Sequence, residues 1–107
     1  MRAIFVAVAI AGLWSAGAAR ADDYVLTIKD HVFTPTEIKI PANQRVMITV
    51  VNEDATPEEF DSSALKVEKV VAGKSKGVVR IGPLNPGRYT FIGEYHEATA
   101  KGVVIAE

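Results

Sequence analysis

The sequence predicts an all-β domain, a Greek-key β-sandwich, preceded by a cleaved signal peptide at residues 1–21. After residue 22, short apolar segments recur about every ten residues and turn-forming residues separate them, as in sandwiches and barrels. No stretch in this part of the sequence keeps a helical period of apolar residues for about three turns. One domain, spanning residues 22–107, is therefore expected, and we predict that it is an antiparallel β-sandwich with almost no helix.

The strand pattern is clearest at two places. Leu26 and Ile28 lie two residues apart, on one face of the first segment, and Val46–Val51 is a mostly β-branched run typical of a buried strand. Turn signals such as Pro41-Ala42-Asn43 separate the segments. The predicted strands are residues 24–29, 37–40, 46–51, 67–71, 77–81, 88–92 and 103–105. The expected core residues are Leu26, Ile28, Ile48, Val50, Phe60, Tyr89, Phe91 and Val103.

The first residues carry the pattern of a secretory signal. Arg2 supplies a positive charge, the apolar run Ile4–Trp14 follows it, and Ala19-Arg20-Ala21 fits the small-residue cleavage rule. This run is shorter than the roughly 20 residues that cross a bilayer as a helix. Export is therefore expected, with a mature chain that starts at Asp22 and is soluble rather than membrane-spanning.

The composition excludes several classes of function. The sequence has no cysteine, so thiolate chemistry and thiolate metal ligands are excluded. The residues after the signal carry ten basic and thirteen acidic side chains, and a net charge of −3 disfavours a nucleic-acid partner. Its serines stand in no nucleophile-elbow motif, which leaves hydrolysis by a serine triad unsupported.

Two acidic segments are the candidates for chemistry. Asn52–Asp61 is predicted to be a loop that leaves a buried strand, and Gly93–Glu97 contains one of the chain's two histidines. Carboxylates with an imidazole suit iron, copper, zinc or manganese better than calcium or magnesium, which prefer oxygen ligands only. The alternative is that these acids are solvated loop residues and that His96 lies on the surface.

Three segments carry a resemblance to a known family: Asp30–Ala42, Val50–Ser62 and Ile81–Val104. The chain resembles the cupredoxin-like domain, and in particular the small periplasmic cupredoxins associated with bacterial iron-transport systems, the ferrous or ferric permeases. The resemblance implies a cupredoxin-like Greek-key sandwich with a metal site at one end. It also implies a periplasmic location.

The sequence departs from the blue-copper ligand pattern of two histidines, a cysteine and a weak axial methionine. The resemblance leaves one ligand in place, His96. The positions of the other three hold Glu58 or Glu59, Gly93, and Ala100 or Lys101. An iron or copper ion bound here would therefore occupy a non-blue site without a cysteine ligand.

The resemblance and the residue types present together imply a set of metal ligands: His96, Glu59, Glu58, Glu94 and Asp61. Strand alternation places Glu58 with Phe60 on one face and Glu59 on the other, so only one glutamate faces the site. A buried Phe60 favours Glu58, whereas the resemblance implies Glu59, and the choice stays open. His31, in the N-terminal part of the domain, is expected to be structural or solvated.

The function implied is that of a periplasmic accessory of an iron-uptake permease. It would bind iron or copper and either oxidise ferrous iron, a ferroxidase-type activity, or relay the ion. The alternative is a metal-free docking or scaffold module for a periplasmic or membrane partner, which the loss of three copper ligands favours.

Cleavage after Ala21 is the first testable expectation, because Ala19 and Ala21 occupy the two small-residue positions of the signal. The intact mass of the exported protein should correspond to a chain that starts at Asp22. A mass that retains Met1–Ala21 would contradict export by a cleaved signal.

Overall fold

The computed structural model describes residues 24–107, and the predicted signal peptide lies outside the described residues. Residues 24–107 form nine strands, and a 3₁₀ turn (Glu94–His96) lies between the last two. The strands are β1 (Tyr24–Lys29), β2 (Val32–Thr34), β3 (Glu37–Ile40), β4 (Val46–Asn52), β5 (Glu58–Ser62), β6 (Val67–Val71), β7 (Ser75–Ile81), β8 (Gly87–Gly93) and β9 (Lys101–Ala106). Within residues 24–107, no helix has the length and apolar character needed to cross a membrane.

The strands form two mixed sheets. One has the order β2-β1-β4-β7, and the other has the order β3-β9-β8-β5-β6. The predicted all-β sandwich is confirmed, but the expectation of purely antiparallel pairing is wrong, because β1 pairs with β4 and β3 pairs with β9 in parallel. Parallel pairs arise because the chain passes from one sheet to the other between β2 and β3 and again between β3 and β4.

The sequence analysis did not predict two of the strands, β2 and β5. β2 has only three residues, and β5 lies within the segment that was expected to be an acidic loop. Along β5, Glu58, Phe60 and Ser62 are buried, whereas Glu59 and Asp61 are half-buried. The alternation is that of an ordinary strand, but a buried carboxylate and a buried hydroxyl replace two of the apolar residues by which strands are recognised.

Three aromatic rings fill the centre of the core. Phe33 and Phe91 meet edge to face with ring centroids 5.3 Å apart, and Phe60 stacks on Phe91 at 4.9 Å. All three are fully buried. The expected core residues are buried except Tyr89, which is half-buried and donates its hydroxyl hydrogen to the carbonyl of Asn85 at 2.7 Å.

The polar segments lie together at one end of the sandwich. The end of β1 meets the residue after β4 through the hydrogen bond from the Glu53 N–H to the Ile28 carbonyl, 2.9 Å long. In the other sheet, Phe60 of β5 is registered opposite Gly93, the last residue of β8. The loop after β1, the start of β5 and the 3₁₀ turn after β8 are thereby brought together.

Truncation of Phe91 tests this core. Phe91→Ala should lower the free energy of unfolding by about 3–5 kcal/mol, since it removes a buried ring that two other rings contact. Denaturant unfolding followed by circular dichroism measures the change. Tyr95→Ala, at an exposed aromatic, is the control and should change stability much less. Equal losses for the two variants would contradict the assigned core.

Candidate functional site

A buried carboxylate contacts an imidazole at this end of the sandwich. Glu58 is only 3% exposed, and its Oε2 lies 2.6 Å from Nδ1 of His96. The other oxygen, Oε1, accepts hydrogen bonds from the backbone N–H of Glu59 at 3.0 Å and of Tyr95 at 2.9 Å. Burial of a carboxylate is unfavourable unless such partners replace water. These three contacts therefore make the inward position of Glu58 possible.

Gly93 provides the space for this carboxylate. A Cβ atom at residue 93 would lie 2.7 Å from Cδ of Glu58 and 2.7 Å from Cβ of Ala100. Carbon atoms do not approach so closely without displacement, because packed interiors tolerate little overlap. The carboxyl group of Glu58 thus fills the volume that a side chain at residue 93 would need.

The contact also fixes the orientation of His96. An ionised carboxylate only accepts hydrogen bonds, so Nδ1 of His96 is the donor towards Glu58. In the neutral ring, Nε2 then carries the free lone pair. Carboxylate–imidazole pairs of this kind hold metal-binding histidines in many proteins, where they set the tautomer and raise the basicity of the ligating nitrogen.

The second histidine of the chain lies against the first. The rings of His31 and His96 stack with centroids 3.5 Å apart and planes 7° from parallel. The sequence-based expectation that His31 is merely structural or solvated did not anticipate this contact. Each imidazole lies next to a different carboxylate. Glu58 contacts His96, and Oδ2 of Asp54 lies 4.0 Å from Nε2 of His31.

Asp54 holds the turn that carries His31. Asp30 and His31 have φ angles of 52° and 62°, in the left-handed region that side chains disfavour. The carboxylate of Asp54 accepts the N–H of Asp30 at 2.7 Å and that of His31 at 3.0 Å. Thr99 adds a hydroxyl hydrogen bond to the His31 carbonyl at 2.5 Å. The turn is thereby anchored to two other segments of the chain.

The pKa of Asp54 reflects these contacts. Desolvation is the largest single effect and raises it, but the hydrogen bonds from His31 and Asp30 and the charges of His31 and Lys74 outweigh desolvation. The net pKa therefore lies below its usual range. Buried Asn52 in turn positions Asp54, whose backbone N–H it accepts at 3.0 Å.

A second acidic group lies on the outer face of β5. One carboxylate oxygen from each of Glu59, Glu68 and Glu94 lies within 4.8 Å of the others. The pKa of Glu94 is raised to about 6, first by its hydrogen bond with Glu59, then by the negative charges of Glu59 and Asp61. The crowding of carboxylates favours a shared proton.

The residues predicted as ligands therefore separate into two groups. Glu58 and His96 contact each other, whereas Glu59 and Glu94 belong to the outer group and Asp61 is a charged neighbour of Glu94. Strand alternation along β5 causes the separation, as the sequence indicated. Sequence reasoning missed His31 and Asp54. The signal available was that the chain has only two histidines and that both follow strand ends.

Comparisons with known proteins agree with this architecture. A family model described as "Cupredoxin-like domain" matches residues 2–106. An uncharacterized protein of Rickettsia prowazekii (strain Madrid E) is 34% identical over 106 residues, which are 95% of this chain and 85% of that protein.

Solved structures show the same fold at low identity. The metal-binding domain of the Cu(I)-exporting P-type ATPase CopA of Streptococcus pneumoniae D39, determined with Cu(I), matches with TM-score 0.65 and 15% identity, over 78% of this chain and 82% of that chain. Amicyanin from Paracoccus versutus matches with TM-score 0.62 and 19% identity, over 83% and 85%. A heme-copper terminal oxidase chain matches with TM-score 0.64 and 22% identity over 78% of this chain, which spans only 63% of that chain.

Neutralising Glu94 tests the outer acidic group. Because the folded-state pKa of Glu94 is raised to about 6, the folded protein binds the proton more tightly than the unfolded chain. Stability contributed by this proton is present at low pH and is lost as the pH rises through 6. Glu94→Gln should therefore raise the unfolding midpoint at pH 8 and have little effect at pH 4. Thermal unfolding at the two pH values measures this difference. A Glu94→Gln effect that is the same at both pH values would contradict the carboxylate repulsion.

Proposed function

Since the chain belongs to the cupredoxin-like domain family, we propose that it binds an iron or copper ion where His31 and His96 meet. The observation that carries the proposal is the stack of the two imidazoles beside the buried carboxylate of Glu58. In the proposed role, the domain works in the periplasm as an accessory of an iron-uptake system.

The donor set fits some metal sites and not others. A blue copper site needs a cysteine thiolate, and the chain has no cysteine. Restoring one at residue 93 would place its Cβ against the carboxyl group of Glu58. Imidazole nitrogens with carboxylates suit iron or a non-blue copper ion. The residues present therefore support a metal centre of a different kind from the thiolate site.

Four residues of the chain would have two different roles at this site, as ligands of the ion or as residues that position the ligands. His96 presents Nε2, because Glu58 occupies Nδ1, and His31 would supply the second imidazole once its ring turns out of the stack, since the lone pair lies in the ring plane. Glu58 is a positioning residue, and Asp54 holds His31 through the backbone of its turn. A bound ion would supply Lewis acidity or a redox couple. The two carboxylates next to the rings offset part of its positive charge.

The outer carboxylates have a different place in the proposal. Glu59 and Asp61 lie on the opposite face of β5 from Glu58, and Glu94 contacts them. We therefore propose that these three are not ligands of the ion held by the two histidines. Adjacent glutamates on opposite faces make a matched pair of variants, each of which loses one charge with little change in shape.

The iron-uptake role rests on the resemblance of the sequence to small periplasmic cupredoxins and on the predicted signal peptide. Carboxylates near a bound iron favour the ferric over the ferrous ion, which agrees with either oxidation or relay to a permease. Oxygen consumption in the presence of ferrous iron distinguishes the two roles. Iron uptake by cells that lack the protein, compared with cells that produce it, tests the partner system.

Metal titration of the exported protein tests the site. His96→Ala should abolish specific binding of ferrous or cuprous ion, and Glu58→Gln should weaken it about ten-fold or more, as loss of a supporting carboxylate does elsewhere. Glu59→Gln is the matched control and should bind as the unmodified protein does. Calorimetry under anaerobic conditions measures these affinities, and circular dichroism confirms that each variant is folded.

Two outcomes would contradict the proposal. A larger loss of affinity in Glu59→Gln than in Glu58→Gln would place the ion at the outer carboxylates. Identical titrations for all four proteins would show that no specific centre exists. An intense band near ~600 nm with cupric ion is not expected, since that band requires a thiolate ligand.

A further inference from the structure

The outer face of the sheet β2-β1-β4-β7 differs from the rest of the surface. Eleven side chains alternate outward along these four strands, and none of them is a carboxylate. The domain as a whole has slightly more acids than bases, so the absence is a local property of this face. The corresponding outer surface of β5 and β6, in the other sheet, carries Glu59, Asp61 and Glu68.

The centre of this face is apolar. Val25, Thr49 and Val78 form one row across three strands, and the next row contains Val51. Val25 is 55% exposed and Val78 is 41% exposed in the described part of the chain. Val32, on β2, is 42% exposed but lies opposite Lys29, apart from the row of Val25 and Val78. Exposed apolar side chains are unremarkable singly, but a contiguous patch with a polar rim marks an interaction surface.

The margins of the same face are cationic. Lys29 lies at the end of β1, while Lys76 and Arg80 lie on β7 at either side of Val78. Lys29 also lines a surface groove of about 420 Å³, in which three lysines (Lys29, Lys74 and Lys76) outnumber one acidic residue, Glu53. An apolar centre with charged margins is the anatomy of a protein interface, where complementary charges fix the partner and its orientation.

We propose that this face docks a partner protein whose surface presents an apolar patch bordered by carboxylates. A second copy of the chain, placed face to face, would oppose Lys29, Lys76 and Arg80 with the same cations. An anionic lipid surface is the other candidate, but no outward side chain of these strands is aromatic, and aromatic residues anchor proteins at the lipid interface.

Docking through this face would place the partner next to the candidate metal centre. Lys29 directly precedes the Asp30–His31 turn, and Val32 follows it on β2. A partner seated on the face therefore borders His31. This consequence rests on the proposed function, whereas the docking itself does not. Docking of the partner should therefore persist in His96→Ala.

Site-specific photo-crosslinking in cells that export the full protein tests the proposal. A photoreactive amino acid at position 78 should give one protein adduct, whose linked peptide is rich in Asp or Glu. The same amino acid at position 70, which is 52% exposed on the other sheet, is the matched control and should not give it. Lys76→Glu with Arg80→Glu should reduce the adduct about five-fold or more. Lys39→Glu with Lys101→Glu, on the other sheet, should leave it unchanged.

Several results would overturn the proposal. These are an adduct with lipid, with a second copy of the chain, or with the chain's own first 23 residues. The absence of an adduct at position 78, equal adducts at positions 78 and 70, or an adduct that is insensitive to reversal of the two cations would also do so. Circular dichroism of each variant shows that loss of the adduct is not loss of the fold.

Discussion

The burial of the Glu58 carboxylate is the constraint on which this end of the molecule depends. A buried carboxylate is strongly destabilising unless hydrogen bonds replace its water. Here two backbone N–H groups and one imidazole do so, and the missing side chain of Gly93 leaves room for the carboxyl group. The start of β5, the end of β8 and the 3₁₀ turn must all be in place before any of these contacts exists.

His31 depends on a second set of polar contacts. Buried Asn52 holds Asp54, and Asp54 holds the two left-handed residues that carry the imidazole towards His96. Backbone in this region is unfavourable for residues with side chains and persists where surrounding contacts determine it. Left-handed backbone, buried polar groups and stacked histidines thus lie together at one end of the sandwich, a combination that is expected at functional sites.

Much of the fold could be predicted from the sequence, because β-branched runs and turn residues mark most of the strands. β5 could not be, since Glu58 and Ser62 occupy buried positions where the pattern expects apolar residues. The pairing of Glu58 with Phe60 on one face followed from alternation alone. The stack of His31 on His96 joins residues 65 positions apart in the sequence, and it depends on contacts between distant segments: the parallel pairing of β1 with β4 and the hydrogen bonds of Asp54 and Thr99 to the turn of His31.

Glu58 fixes His96 through Nδ1, so that Nε2 is presented beside His31. A long-range proton–nitrogen correlation spectrum of the histidine side chains tests it directly, because the nitrogen shifts of a neutral ring identify which nitrogen carries the proton. Neutral His96 should be protonated at Nδ1, and its Nε2 signal should change when metal is added. A neutral His96 protonated at Nε2 would contradict it.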